Sequence, residues 1–100
     1  MRVYVSSPGQ AFGSQILAYA EYRLFTVLAR YPSVRGAQVL LQGDRDGSVR
    51  CSVTIDFDSA APARARVKGM HAALTIDRAA GRVAALLRRR FQPDLLAASH

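Results

Sequence analysis

Val49-Arg50-Cys51-Ser52-Val53-Thr54-Ile55-Asp56-Phe57-Asp58 alternates apolar and polar residues without a break. Successive side chains of a β-strand point to opposite faces, so this stretch has one face for a core and one for water. Such a strand needs neighbours along its edges and a cover for its apolar face, and the flanking sequence supplies both. Upstream, Gly43-Asp44-Arg45-Asp46-Gly47 has the composition of a hairpin loop, and the apolar-rich run Gly36 to Gln42 before it reads as the partner strand. Downstream, Asp58-Ser59-Ala60-Ala61-Pro62 makes a turn into Ala63-Arg64-Ala65-Arg66-Val67-Lys68, a further strand with Pro62 tolerated at its start. Arg2 to Val5 is a short β-type run that stops at Ser6-Ser7-Pro8-Gly9.

Two segments have helical rather than strand period. Ile16, Leu17, Ala20, Leu24, Val27, Leu28 and Tyr31 recur at steps of three and four, with Ser14 placed to cap the first turn and Pro32 to stop the helix. After Gly69, the positions Ala73, Ile76, Ala80, Val83 and Leu87 repeat in the same way up to Phe91, before Gln92-Pro93. The order β-α-β-β-β-α predicts an α+β fold, a four-stranded sheet with both helices packed on one face. The opposite face is left open and carries Arg50, Thr54, Asp56, Arg64, Arg66 and Lys68. Residues 1–91 are expected to form a single domain and residues 92–100 a loose tail.

The chain has 100 residues and a formal net charge of +7. From Ala61 onward eight Lys/Arg face only Asp77 and Asp94, a balance of +6, whereas the first sixty residues hold six Arg against five acids. Nearly all the net charge is thus gathered on the last strand and helix. Concentrated positive charge draws polyanions, nucleic acid foremost; the plainer reading is a solvated face that keeps the domain soluble. On a helical wheel His71, Arg78, Arg82 and Arg89 share a sector of about 40° opposite the core stripe. Arg78, Arg82 and Arg89 rise by ~6 and ~10 Å along the axis, a reach that suits successive phosphates gripped by guanidinium forks. Arg88, Arg89 and Arg90 also lie at the negative end of the helix dipole. Tyr19 and Tyr22, off the core stripe of the first helix, either stack on bases or simply flank the core with wet hydroxyls.

Little else carries chemistry. His71 and His100 are the only histidines, and the lone Cys51 alternates with core valines, which marks a buried inert thiol. Asp44-x-Asp46-Gly47 lacks the remaining ligands and the closing Glu of a calcium loop, so a turn is the better reading. Asp56 and Asp58 are expected to pair across the sheet with Arg64 or Arg66. No catalytic residue, metal site, cofactor or small-molecule substrate is expected. No run approaches the ~20 apolar residues that span a bilayer, and a reducing, cytoplasmic setting fits best.

Ile76-Asp77-Arg78-Ala79-Ala80-x-Arg82-Val83, followed by Leu87-Arg88-Arg89, resembles the second helix of the ribosome hibernation-promoting factors, also called ribosome-associated inhibitor A or sigma-54 modulation proteins. The basic strand and the Gly69-Met70-His71-Ala72-Ala73 turn ahead of it look like that family's approach to the helix, and the similarity extends over about residues 2 to 91. It implies the short, single-domain form, a fold similar to double-stranded-RNA-binding domains, and a non-enzymatic partner of the small ribosomal subunit and its rRNA. Such proteins silence translation by occupying the path of mRNA and tRNA. The resemblance puts Arg78, Arg82 and Arg89 where the family has rRNA-facing lysines or arginines, and leaves Arg23 and Arg30 on the first helix; with the neighbouring cations Arg88, Arg64, Arg66 and Lys68 these make up the expected rRNA-binding set. The chain departs from the family pattern at Val27, where a basic residue is usual, and at Ala84 and Ala85, where charged ones are. A divergent homologue using its alanine-rich faces to bind another protein, or a second copy of itself as a homodimer, is the alternative.

Overall fold

A computed structural model describes residues 1–10 and 12–91; the tail expected over 92–100 lies outside them. The elements follow the predicted order: β1 (Arg2–Ser6), α1 (Ser14–Leu28), β2 (Val34–Gly43), β3 (Val49–Phe57), β4 (Ala63–Gly69) and α2 (Ala72–Phe91), with one 3-10 turn at Pro8–Gln10. The four strands form one mixed sheet in the order β1-β2-β3-β4. β1 runs parallel to β2, and the other two pairs are antiparallel. A parallel pair cannot be joined by a tight turn, which is why α1 lies between β1 and β2, whereas β2, β3 and β4 follow one another as a meander.

Register converts the alternation of each strand into rows across the sheet. On one face Val5, Val39, Val53 and Ala65 are successive partners, and Leu41, Cys51 and Val67 form the next row. On the other face the rows are Tyr4, Gln38, Thr54 and Arg64, then Ser6, Leu40, Ser52 and Arg66. The first set is covered by Ala20, Leu24 and Leu28 of α1 and by Ile76, Ala79, Ala80, Val83 and Leu87 of α2, all buried in one cluster. Three alanines in that set let two helices share one sheet face through small side chains. β1 approaches β2 closely at Gly36, where a Cβ would lie 2.7 Å from the Arg2 carbonyl oxygen.

Several details differ from the sequence reading. α1 starts at Ser14 itself, preceded by Gly13 with no side-chain cap, so the Ser14 hydroxyl does not cap the helix. Gly69 still belongs to β4, paired with Val49, and α2 begins three residues later. There Thr75 Oγ1 donates to the His71 carbonyl at 2.6 Å, which satisfies a buried hydroxyl inside the first turn. The core stripe of α2 therefore runs through Thr75 and Ile76, and Ala73 is exposed. Asp56 and Asp58 do not pair with Arg64 or Arg66, because register sets Thr54 opposite Arg64 and Ser52 opposite Arg66; Asp58 instead lies 3.7 Å from Arg35.

Gly81 sits on the exposed side of α2, and a Cβ added there would meet nothing within 4 Å. An interior helix glycine costs about 0.8–1.0 kcal/mol relative to alanine when nothing else requires it. Gly81→Ala should therefore raise unfolding free energy by about 0.5–1 kcal/mol in a denaturant titration; a loss of stability would mean that the glycine answers a constraint other than space.

Candidate nucleic-acid interface

β4 is an edge strand, and one row of its backbone groups has no neighbouring strand to bond. α2 leans arginines over that edge. Arg82 Nη1 donates to the Arg66 carbonyl at 2.8 Å and Arg78 Nη1 to the Lys68 carbonyl at 3.3 Å, while Arg90 Nη2 reaches the Ala61 carbonyl, two residues before the strand, at 3.3 Å. A guanidinium has five N–H donors, so each arginine that touches the edge keeps most of its donors for another partner. The seam between β4 and α2 opens into a groove of about 610 Å³ walled by Arg64, Arg78, Arg82 and Arg89 over a floor of Val67, Ala85 and Leu86. Four guanidiniums around one concave surface hold a strongly positive local potential, and among the described residues none of the four is in an ion pair. The groove suits a polyanion that presents phosphates at intervals.

The other predicted cations divide sharply by surroundings. Arg88 is exposed in the last turn of α2, next to Arg89, and Arg30 is exposed just past the end of α1. Arg66 projects from the open sheet face, away from the groove, while Arg64 borders both surfaces. Lys68 lies 3.9 Å from Asp44 and 3.8 Å from Asp46, and Arg50 lies 2.8 Å from Asp44, not beside Asp56. The Asp44–Gly47 loop is thus a hairpin turn whose acids neutralise the cations of the adjoining strands. Asp46 accepts from both the Ser48 amide and the Ser48 hydroxyl, which holds its carboxyl below the ordinary range.

Arg23 is held elsewhere. Its Nε donates to Asp77 Oδ1 at 2.9 Å, and the Tyr19 hydroxyl donates to the same oxygen. This three-residue tie fastens α1 to α2, and it gives the Ile76-Asp77-Arg78 motif a structural purpose beside the basic one. The Tyr19 bond first, and Arg23 second, hold the Asp77 carboxyl below the ordinary range. Tyr19 is therefore engaged with Asp77 and is not a free stacking platform; Tyr22 is 64% exposed. The sequence signal for the tie is Tyr19 and Arg23 at i, i+4 beside the α1 core stripe, facing an aspartate next to core Ile76. Arg90, also outside the predicted set, lies 4.3 Å above the Phe57 ring, while Phe91 packs between Tyr31 and Phe57 with centroids 5.6 Å from each. Those contacts pin the end of α2 to β3.

Cys51 is fully buried, and burial pushes its thiol up to about 11. Among the described residues no three His, Cys, Asp or Glu side chains gather as a metal-binding set. Among the described residues no helix is long and apolar enough to cross a membrane.

The sheet order and the two helices on one side make a fold that is shared with two solved structures. It matches a ribosomal subunit interface protein from Coxiella burnetii with a TM-score of 0.78, over 90% of this chain and 97% of that one, at 9% sequence identity. The N-terminal domain of Protein Y from Thermus thermophilus matches with a TM-score of 0.70, over 88% of this chain and 93% of that one, at 20% identity. No protein-family model matches the chain and no curated protein matches its sequence. The common ground with these two proteins is the fold, the one that the resemblance of the second helix implied.

The tie at Asp77 has a definite pH signature. A carboxyl whose folded pKa is lowered stabilises the fold fully above the ordinary value of ~3.9 and loses that contribution as pH falls through its folded value. Asp77→Asn should lower the melting temperature at neutral pH, and the gap to wild type should close below about pH 4. A gap that stays constant with pH would show that the charge of Asp77 does not contribute.

Proposed function

We propose that this chain is a non-enzymatic, cytoplasmic member of the hibernation-promoting factor family that binds the small ribosomal subunit through rRNA phosphates and occludes the path of mRNA and tRNA. The observation that carries this reading is the groove between β4 and α2, where Arg64, Arg78, Arg82 and Arg89 converge with no acid to neutralise them among the described residues. Its setting on the fold of a protein named for the ribosomal subunit interface points the same way. Arg88, beside Arg89, and Arg30, past the end of α1, extend the contact. Phosphate contacts of this kind position a protein without reading sequence, as occlusion of a fixed rRNA site requires.

A second reading, docking of another protein on the helix layer, draws on apolar side chains that water reaches there: Tyr22 and Met70 at 64%, Leu74 at 59% and Phe25 at 46%. Salt dependence separates the two, because phosphate contacts release counterions and a protein interface need not.

Replacing Arg78, Arg82 and Arg89 together with Ala should weaken co-sedimentation with small subunits and flatten the log–log salt slope by about one unit per lost contact. Arg50→Ala, a cation already paired with Asp44, should leave both nearly unchanged. If the triple variant folds and pellets as wild type does, the ridge is a solubilising surface and the protein-docking reading takes its place.

A further inference from the structure

The sheet face away from the helices has an organisation of its own. Tyr4, Gln38, Thr54 and Arg64 are register partners on β1, β2, β3 and β4 and form one continuous row on that face. Strands lie ~4.8 Å apart, so the row spans roughly 14 Å from an aromatic ring, across an amide and a hydroxyl, to a guanidinium. Tyr4 is 59% exposed, and its hydroxyl accepts a hydrogen bond from Arg2 Nη1 at 3.2 Å, which steadies the ring at the rim. In the next row Ser52 is followed by Arg66. From Gln38 across Thr54 to Arg64 and Arg66 the face forms a hollow of about 550 Å³, and Tyr4 stands outside it, on the far side of Gln38. Its charge is not uniform: the acids of the β2–β3 turn neutralise Arg50 and Lys68 at one end, while among the described residues Arg64 and Arg66 have no ion pair.

We propose that this open face is a second nucleic-acid site, and that its ligand is single-stranded RNA. A stacking ring, short polar side chains at mid-sheet and unpaired guanidiniums at the far edge are what a splayed strand requires, in the order base face, base edge, phosphate. Arg64 and Arg66 are two residues apart on one strand, ~6.8 Å along it, a separation that two phosphates of an extended chain can match. Inside a duplex the bases are stacked on one another, so only its two end pairs could offer a face to Tyr4, and the rest of the row would have no base edge to meet. This site is distinct from the groove between β4 and α2, which lies across the β4 edge; Arg64 and Val67 border both, and Arg64 is the one cation they share.

The test is fluorescence anisotropy of the full chain with a labelled, mixed-sequence single-stranded RNA of roughly ten nucleotides, within the usual length such surfaces cover. A blunt duplex of the same length serves as the second probe. Tyr4→Ala with Arg66→Ala should weaken single-strand binding at least tenfold, Tyr4→Phe should restore most of the stacking share, and duplex binding should be unaffected. The triple Arg78, Arg82 and Arg89 variant should weaken small-subunit binding and retain the single strand, so failure at one surface is not read as failure at the other. Equal binding of the single strand by wild type and the Tyr4→Ala, Arg66→Ala variant overturns the proposal. So does a face hidden in a dimer, seen as a doubled mass in solution that Tyr4→Ala dissolves. Circular dichroism confirms that each variant is folded, as expected for exposed positions.

Discussion

The apolar rows across the sheet, Val5–Val39–Val53–Ala65 and Leu41–Cys51–Val67, must be kept from water, and α1 and α2 are the elements that do it. Burying a large aliphatic side chain contributes ~1.5–3 kcal/mol, far more than any exposed ion pair in this chain can. That inequality places both helices on one side, leaves the polar rows of the other side open, and brings α2 alongside the edge of β4. The basic groove is thus a consequence of how the core is covered. The tie of Tyr19 and Arg23 to Asp77 then fixes how the two helices sit against each other.

The cations do two kinds of work. Arg23, Arg35, Arg50 and Lys68 face carboxylates, and Arg90 lies over Phe57, so these serve the fold or the solubility of its turns. Arg78 and Arg82 are shared: one donor of each caps a carbonyl of the β4 edge, which blunts a strand edge that could otherwise recruit another, and the remaining donors face the groove. Arg64, Arg66, Arg88 and Arg89 have neither an ion pair nor a cap to make among the described residues. A net charge of +7 on so small a chain therefore resolves into structural and available parts only when each side chain is placed.

Strand and helix periods were legible in the sequence because a half-buried strand and an amphipathic helix imprint a period on hydrophobicity. β3 is the clearest case, with five buried side chains at every second position from Val49 to Phe57. Local capping and pairing were not legible to the same degree. Ser14 has the chemistry of a cap, yet the helix begins one residue earlier than that role requires. Asp56 and Asp58 looked like partners for Arg64 and Arg66, but pairing depends on register, which a two-residue period constrains only to within a two-residue step. Of the candidate site, the α2 ridge and the basic strand before it are both legible as charge patterns. The removal of Lys68 from the free set is invisible in the sequence, since its partners are more than 20 residues distant; that of Arg23, 54 residues from Asp77, leaves only the i, i+4 spacing of Tyr19 and Arg23 as a signal. The stacking row through Tyr4 was invisible for the same reason, because its members come from four strands.

Occupation of the decoding path is tested most directly by competition. Small subunits saturated with the chain are challenged with increasing mRNA and initiator tRNA, and the chain that co-sediments is measured. The account predicts that bound chain falls as the two ligands bind, and that neither order of addition yields a subunit carrying all three. Subunits that hold the chain, mRNA and tRNA together, at the same salt, would contradict it.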